Sequence, residues 1–168
     1  SSSNLLRTLN AAAPDSETIK VSIVPFDTMV RVDAAANRTA SWMRFASPAQ
    51  QASWQGFVED RDLPYATGGA APVVSLPATL YPASSRNDPG FAAIRPLTSV
   101  VTGYTTLQST VNAMRASGCT NITVGATWGL ATLMPAAPMT GAQPAGTPDL
   151  EKIMILLTDG DNTQDRFT

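Results

Sequence analysis

Histidine is missing from all 168 residues, and cysteine occurs once. Without an imidazole the chain cannot supply a Ser-His-Asp or Cys-His arrangement, a histidine-bound zinc, or the usual general base near neutrality. The single cysteine, Cys119, cannot close an internal disulfide. Between Gly118 and Thr120, in an apolar neighbourhood, it reads as a small buried residue rather than a reactive thiol, and cysteine usage leaves the redox compartment open. Charge is also sparse, at 14% of residues and net −2, against about a quarter in ordinary globular chains. No basic run exists, so the electrostatic footprint of nucleic-acid binding is missing, and the acidic excess is too small for an acidic interaction tail. The long uncharged interval from Arg115 to Asp149 is broken too often by Gly, Pro, Ser and Thr to serve as a membrane span. The chain opens Ser1-Ser2-Ser3 with no signal-peptide pattern behind it, and it reads as a soluble piece of something longer.

What is present is enough for one domain with a sizeable core. Leu5, Leu6 and Leu9 share a face and predict a helix over 3–13, stopped by Pro14-Asp15-Ser16. Alternating Ile19, Val21 and Ile23 predict a strand over 18–26. Asp27-Thr28 supplies turn chemistry, and Met29–Val32 returns as a short antiparallel edge strand. From about 33 to 104 the chain is dense in proline, with Gly68-Gly69 inside it and no charge between Asp62 and Arg86. So long an irregular stretch is a functional loop, or a disordered insertion or linker. Trp42, Phe45, Trp54, Phe57, Tyr65 and Tyr81 argue for partial order, because disordered tracts are poor in aromatics; the expectation is an insertion lying over the domain. Leu107, Val111 and Met114 then mark a helix ended by Ser117-Gly118, and a second helix follows over about 124–134, closed by Pro135. A Pro/Gly/Ala loop over 136–148 leads into Lys152–Thr158. That final apolar run suits a strand buried on both faces of a parallel sheet.

The end of that run carries the chemistry: Thr158-Asp159-Gly160-Asp161-Asn162-Thr163. Ligands of open α/β sheets sit at the carboxyl ends of strands, so Asp159 and Asp161 stand where a hard cation or a phosphate would be held. A strand followed by Asp-x-Asp-x-Thr resembles the first motif of haloacid-dehalogenase-like phosphatases. That likeness implies Asp159 as nucleophile, Asp161 as acid/base and Mg²⁺ alongside. The family needs a long downstream chain with a lysine and a further acidic motif, and only five residues follow Thr163. A calcium loop begun by Asp159, Asp161 and Thr163 fits less well, because Gln164 replaces the turn glycine and the twelfth-position Glu is missing.

A third reading uses more of the chain. Gly118-Cys119-Thr120-Asn121-Ile122-Thr123-Val124-Gly125, then a helix, then a strand ending Leu157-Thr158-Asp159-Gly160, resembles the von Willebrand factor A domain. The resemblance implies an α/β fold with a doubly wound, mostly parallel, Rossmann-type sheet. It also implies a magnesium or other divalent-cation site with Thr120 and Asp159 as ligands and Asp161 in a turn or outer-sphere role. Hydroxyl and carboxylate oxygens suit Mg²⁺, which keeps waters and accepts a carboxylate from a partner. The plainer alternative is that Thr120 caps a helix and Asp159 starts a turn.

Val24-Pro25-Phe26, Trp54 with Val58-Glu59-Asp60-Arg61, Thr79-Leu80-Tyr81-Pro82 and Pro96-Leu97-Thr98 narrow the likeness. With Gly118–Trp128 and Leu156–Thr163, they resemble the A domain of bacterial TadG-like (TadE/TadG) proteins of tight-adherence (Flp) pilus assembly, over about 18–163. That family implies a non-enzymatic, extracytoplasmic module for adhesion or assembly. Its partner would be a protein of the pilus or cell envelope, with membrane anchoring through an upstream N-terminal segment. The chain departs from the pattern in lacking the Asp-x-Ser-x-Ser loop of the family's first, central strand, and it has no cysteine pair in the insertion. The 168 residues are therefore expected to be a partial domain that is marginal in stability alone, or in which the strands at 18–26 and 152–158 pair directly or leave a gap.

Overall fold

The computed structural model describes residues 2–115 and 119–158. Its elements are mixed α and β. Helix α1 (Ser2–Ala12) precedes strand β1 (Lys20–Ile23), and much later come strand β6 (Arg95–Ser99) and helix α4 (Tyr104–Ala113). These four form one packed unit. β1 and β6 are antiparallel, with Lys20 opposite Ser99, Val21 opposite Thr98 and Ile23 opposite Arg95. The register slips between Val21 and Ile23, where the Ser22 hydroxyl donates to the Arg95 carbonyl at 2.7 Å. α1 and α4 pack together, burying Leu6, Val100 and Leu107, with Leu9, Ile19, Val21 and Val111 around them. The leucine spacing of α1 thus predicts both the helix and its inward face, although Leu5 stays exposed.

The interval 33–104 is more than a covering insertion. It supplies most of the principal core, which joins Val30, Val32, Trp42, Met43, Trp54, Val58, Tyr81 and Ile94 to Val124 and Trp128 of helix α5 (Ile122–Thr132). Short pieces make this possible. Helix α2 (Ala34–Asn37) is capped by Asp33, and α3 (Pro48–Ser53) by Ser47 with proline at its start, each cap satisfying an otherwise orphaned N–H. β2 (Val30–Arg31) pairs antiparallel with β4 (Phe57–Val58), and β3 (Met43–Arg44) pairs parallel with β5 (Tyr81–Pro82). At the turn into β4, Gly56 has φ +96°, and a Cβ there would lie 2.1 Å from the Val32 carbonyl oxygen. Only glycine fits that position.

Aromatic stacking closes the core. The rings of Trp42, Tyr81 and Trp128 meet with centroids 4.9–5.9 Å apart, a geometry that adds about 1 kcal/mol per pair beyond area burial. Arg61, 1% exposed, lies with its guanidinium 4.8 Å from the Tyr81 centroid. It donates to the carbonyls of Ala70 (2.6 Å), Thr79 (3.4 Å) and Gly68, pinning the charge-free loop to the core. Burial pushes the Tyr81 phenol above its ordinary pKa, and the Arg61 charge offsets this only in part. The folded state therefore holds that proton more tightly than the unfolded chain does. Tyr81's contribution is complete below the ordinary tyrosine value near 10 and is lost as pH rises past it. Urea melts between pH 9 and 11 are expected to show a steeper loss of stability for the wild-type chain than for Tyr81→Phe.

Two expectations are corrected here. First, no doubly wound parallel sheet is formed among the described residues: the strands stand in three two-stranded pairs, two of them antiparallel. Second, residues 152–158 form neither a strand nor a buried element. Ile153 is 70% and Leu157 63% exposed. An apolar run becomes a buried strand only beside a strand edge that accepts its N–H and C=O groups, and no described strand lies along it. The strands at 18–26 and 152–158 do not pair, and β1 has β6 on one edge and no strand on the other among the described residues. Amides 153–157 are expected to exchange with D₂O at nearly unprotected rates, while those of β1 and β6 are protected. Slow exchange at 153–157 would show that the run is paired in solution.

Candidate functional site

The carboxyl end of β1 and the start of α5 meet at one rim. α5 forms because Val124, Trp128, Ala131 and Thr132 recur at helical spacing on its buried face. Its N-cap is Asn121, whose Oδ1 accepts the Val124 N–H at 3.1 Å. Thr120 stands one residue before this cap. The cap therefore belongs to Asn121, and the plainer role proposed for Thr120 is not the one it has. Cys119, expected to be buried, is exposed beside it, because the chain reaches α5 over the surface at this point.

Asn121 holds the rim together. It is fully buried, its backbone N–H donates to the Asp27 carbonyl at 2.8 Å, and its Nδ2 donates to Asp60 Oδ2 at 2.6 Å. The β1 end is fixed by Asp27, 7% exposed. Its carboxylate accepts from the Met29 N–H at 3.0 Å and takes both oxygens to Arg86 Nη1, at 2.9 and 2.7 Å. Arg86 also donates to Asp88 at 3.0 Å and lies over the rings of Phe57 and Phe91, 4.6 and 4.9 Å from their centroids. Burial works against the Arg86 charge, but the hydrogen bonds to Asp27 and Asp88 outweigh it and hold its pKa above the ordinary arginine value. One turn into α5, a Cβ on Gly125 would stand 2.7 Å from the Phe26 ring. Glycine there lets the helix seat directly on the end of the strand.

Of the residues predicted to hold a cation, Thr120 is at this rim and half-buried, with the hydroxyl a hard cation accepts. Asp159 and Asp161 lie outside the described residues. The carboxylates that do stand here are engaged, Asp27 with Arg86 and Asp60 with Asn121. Among the described residues no group of three carboxylates, cysteines or histidines is placed to share a metal ion. The described part of the rim thus holds one of the residues named by the resemblance, and a divalent ion there needs a carboxylate from elsewhere.

Sequence reasoning passed over Asp27, Asp60, Arg86 and Asn121 as functional framing. Asn121 carried a readable signal, since Asn directly before an apolar helical segment is a cap. The Asp27–Arg86 pair spans 59 positions and has no local signature. Among the described residues no helix is long and apolar enough to cross a membrane. Compared with known proteins, the chain matches no family model, no curated protein and no solved structure.

Proposed function

We propose that this chain belongs to a non-enzymatic, extracytoplasmic binding or assembly module of the von Willebrand factor A type, of the TadG-like kind. In this reading it engages a protein of the pilus or cell envelope through a divalent cation held by Thr120 and Asp159, with Asp161 in an outer-sphere role. The reading rests on one observation: the path of residues 152–154 along α5. Lys152 Nζ donates to the Leu133 carbonyl, at the helix's carboxyl end, at 2.6 Å. Met154 Sδ lies against Gly129, one turn nearer its start. The chain therefore runs back along α5 toward Thr120.

Lengths agree with this. From Gly129 to Thr120 the helix rise is about 14 Å, and an extended chain covers about 16 Å from Met154 to Asp159. The length of chain from Met154 to Asp159 thus suffices for the span from Gly129 to Thr120. As a binding module the protein turns over no phosphate ester, and an aryl phosphate assay is expected to give no Asp159-dependent rate.

The site is tested with Mn²⁺ as a paramagnetic probe in ¹⁵N NMR. Amides of Thr120, Asn121, Asp27 and Thr28 are expected to broaden first, and Asp159→Ala to abolish the effect. Broadening centred elsewhere, or unchanged in that variant, would refute the assignment.

A further inference from the structure

The residues that line one further cleft play no part in the cation reading. Between β6 and α4 lies an open cleft of about 360 Å³, lined by Ala93, Arg95, Thr105, Thr106, Ser109, Thr110 and Ala113. That volume is in the range of small-ligand sites, about 300–1,000 Å³. Its lining holds one cation, four hydroxyls and no carboxylate.

Arg95 differs from the other arginines tied into the fold. Arg31, Arg38, Arg44, Arg61 and Arg86 all direct Nη groups to carbonyls or carboxylates. Arg95 has one side-chain bond, from Nε to Thr110 Oγ1 at 3.5 Å. Thr110 is itself buried, and its hydroxyl donates to the Thr106 carbonyl at 3.1 Å. The bond orients the guanidinium at the cleft while its Nη donors have no acceptor among the described residues. A planar, half-buried fork of donors is the geometry that takes carboxylate or phosphate oxygens two at a time.

The hydroxyls add selectivity. Ser109 donates to the Thr105 carbonyl at 2.8 Å, as Thr110 does to Thr106. Both protons are thereby directed into the helix; the Ser109 oxygen keeps its lone pairs to accept, and the Thr110 oxygen, which takes the Arg95 Nε–H, keeps one. The matching ligand carries its own O–H donors beside the anionic group.

We propose that this cleft binds a compact hydroxylated anion, an acidic or phosphorylated sugar, through Arg95 with Ser109 and Thr110 accepting from its hydroxyls. The test is ¹⁵N NMR titration of the chain with glucuronate, glucose 6-phosphate and glucose. At least one of the two anions is expected to shift the amides of Arg95, Thr106 and Ser109 saturably, and which one does so separates carboxylate from phosphate recognition. Glucose is expected to bind far more weakly. Arg95→Gln should weaken the anion about tenfold or more, the scale of a charge-assisted pair. Ser109→Tyr, which fills the cleft and leaves Arg95 in place, should abolish binding with the wild-type spectrum otherwise kept. No saturable shift from either anion, glucose binding as tightly as the anions, or unchanged affinity in Arg95→Gln would each overturn the proposal.

Discussion

Arg86→Met is expected to destabilise the chain by about 3–5 kcal/mol, the cost of leaving a buried charge without its partner. Asp27 is 7% exposed, and both of its oxygens go to the Arg86 guanidinium at under 3 Å. The Met29 N–H and a long contact from the Thr28 hydroxyl would be all that remained. The guanidinium also fills the space between Phe57 and Phe91, a role that methionine preserves in volume, so the loss reports the charge rather than a cavity. Adding Asp27→Asn removes the orphaned charge, and the double variant should recover more than half of the deficit in urea melts. A double variant no more stable than Arg86→Met would mean that the pair is incidental.

The other large effect belongs to Trp128, for which alanine is expected to cost about 3–5 kcal/mol. Its side chain is 1% exposed and touches two further rings, Trp42 and Tyr81. It is also where α5 meets the interval 33–104, so truncation opens a cavity in a core with few regular elements to close over it. For a domain of this size the loss corresponds to a fall in Tm of roughly 10 °C or more. Ile155→Ala serves as the control: a residue 59% exposed should change stability by no more than about 0.5 kcal/mol. If the two substitutions cost the same, the exposed apolar run would be packed in solution and the core assignment wrong.

These effects show what sequence patterning could and could not reveal. Leucine spacing and a proline stop mark α1 to within a residue or so at each end, because a helix with an apolar face leaves a local periodicity. Periodicity also locates β1, α4 and α5, but less sharply: β1 is shorter than the expected 18–26, α4 ends at Ala113 before the expected stop, and α5 lies two residues earlier than expected. The interval 33–104 leaves no such trace. Its order comes from side chains bonded to distant backbone, such as Arg61 with Gly68 and Ala70 or Arg31 with Pro89 and Phe91, and from strands two residues long. Aromatic content alone pointed to order there. The terminal run misled in the opposite sense. Composition indicates that Ile153–Leu157 would favour burial; it cannot say whether a strand stands beside them. At the rim, Thr120 is singled out by the resemblance alone, and the frame beside it, Asp27 with Arg86 and Asn121 with Asp60, joins residues about 60 positions apart.

The central claim is that Thr120 and Asp159 hold a divalent cation at the start of α5, and calorimetric titration of the chain with Mg²⁺ tests it most directly. The account predicts saturable, one-site binding that Thr120→Val weakens and Asp159→Ala abolishes, each variant keeping the wild-type melting behaviour without Mg²⁺. Binding of equal strength in the wild-type chain and in Asp159→Ala, or no heat of binding in the wild-type chain at millimolar Mg²⁺, would contradict it.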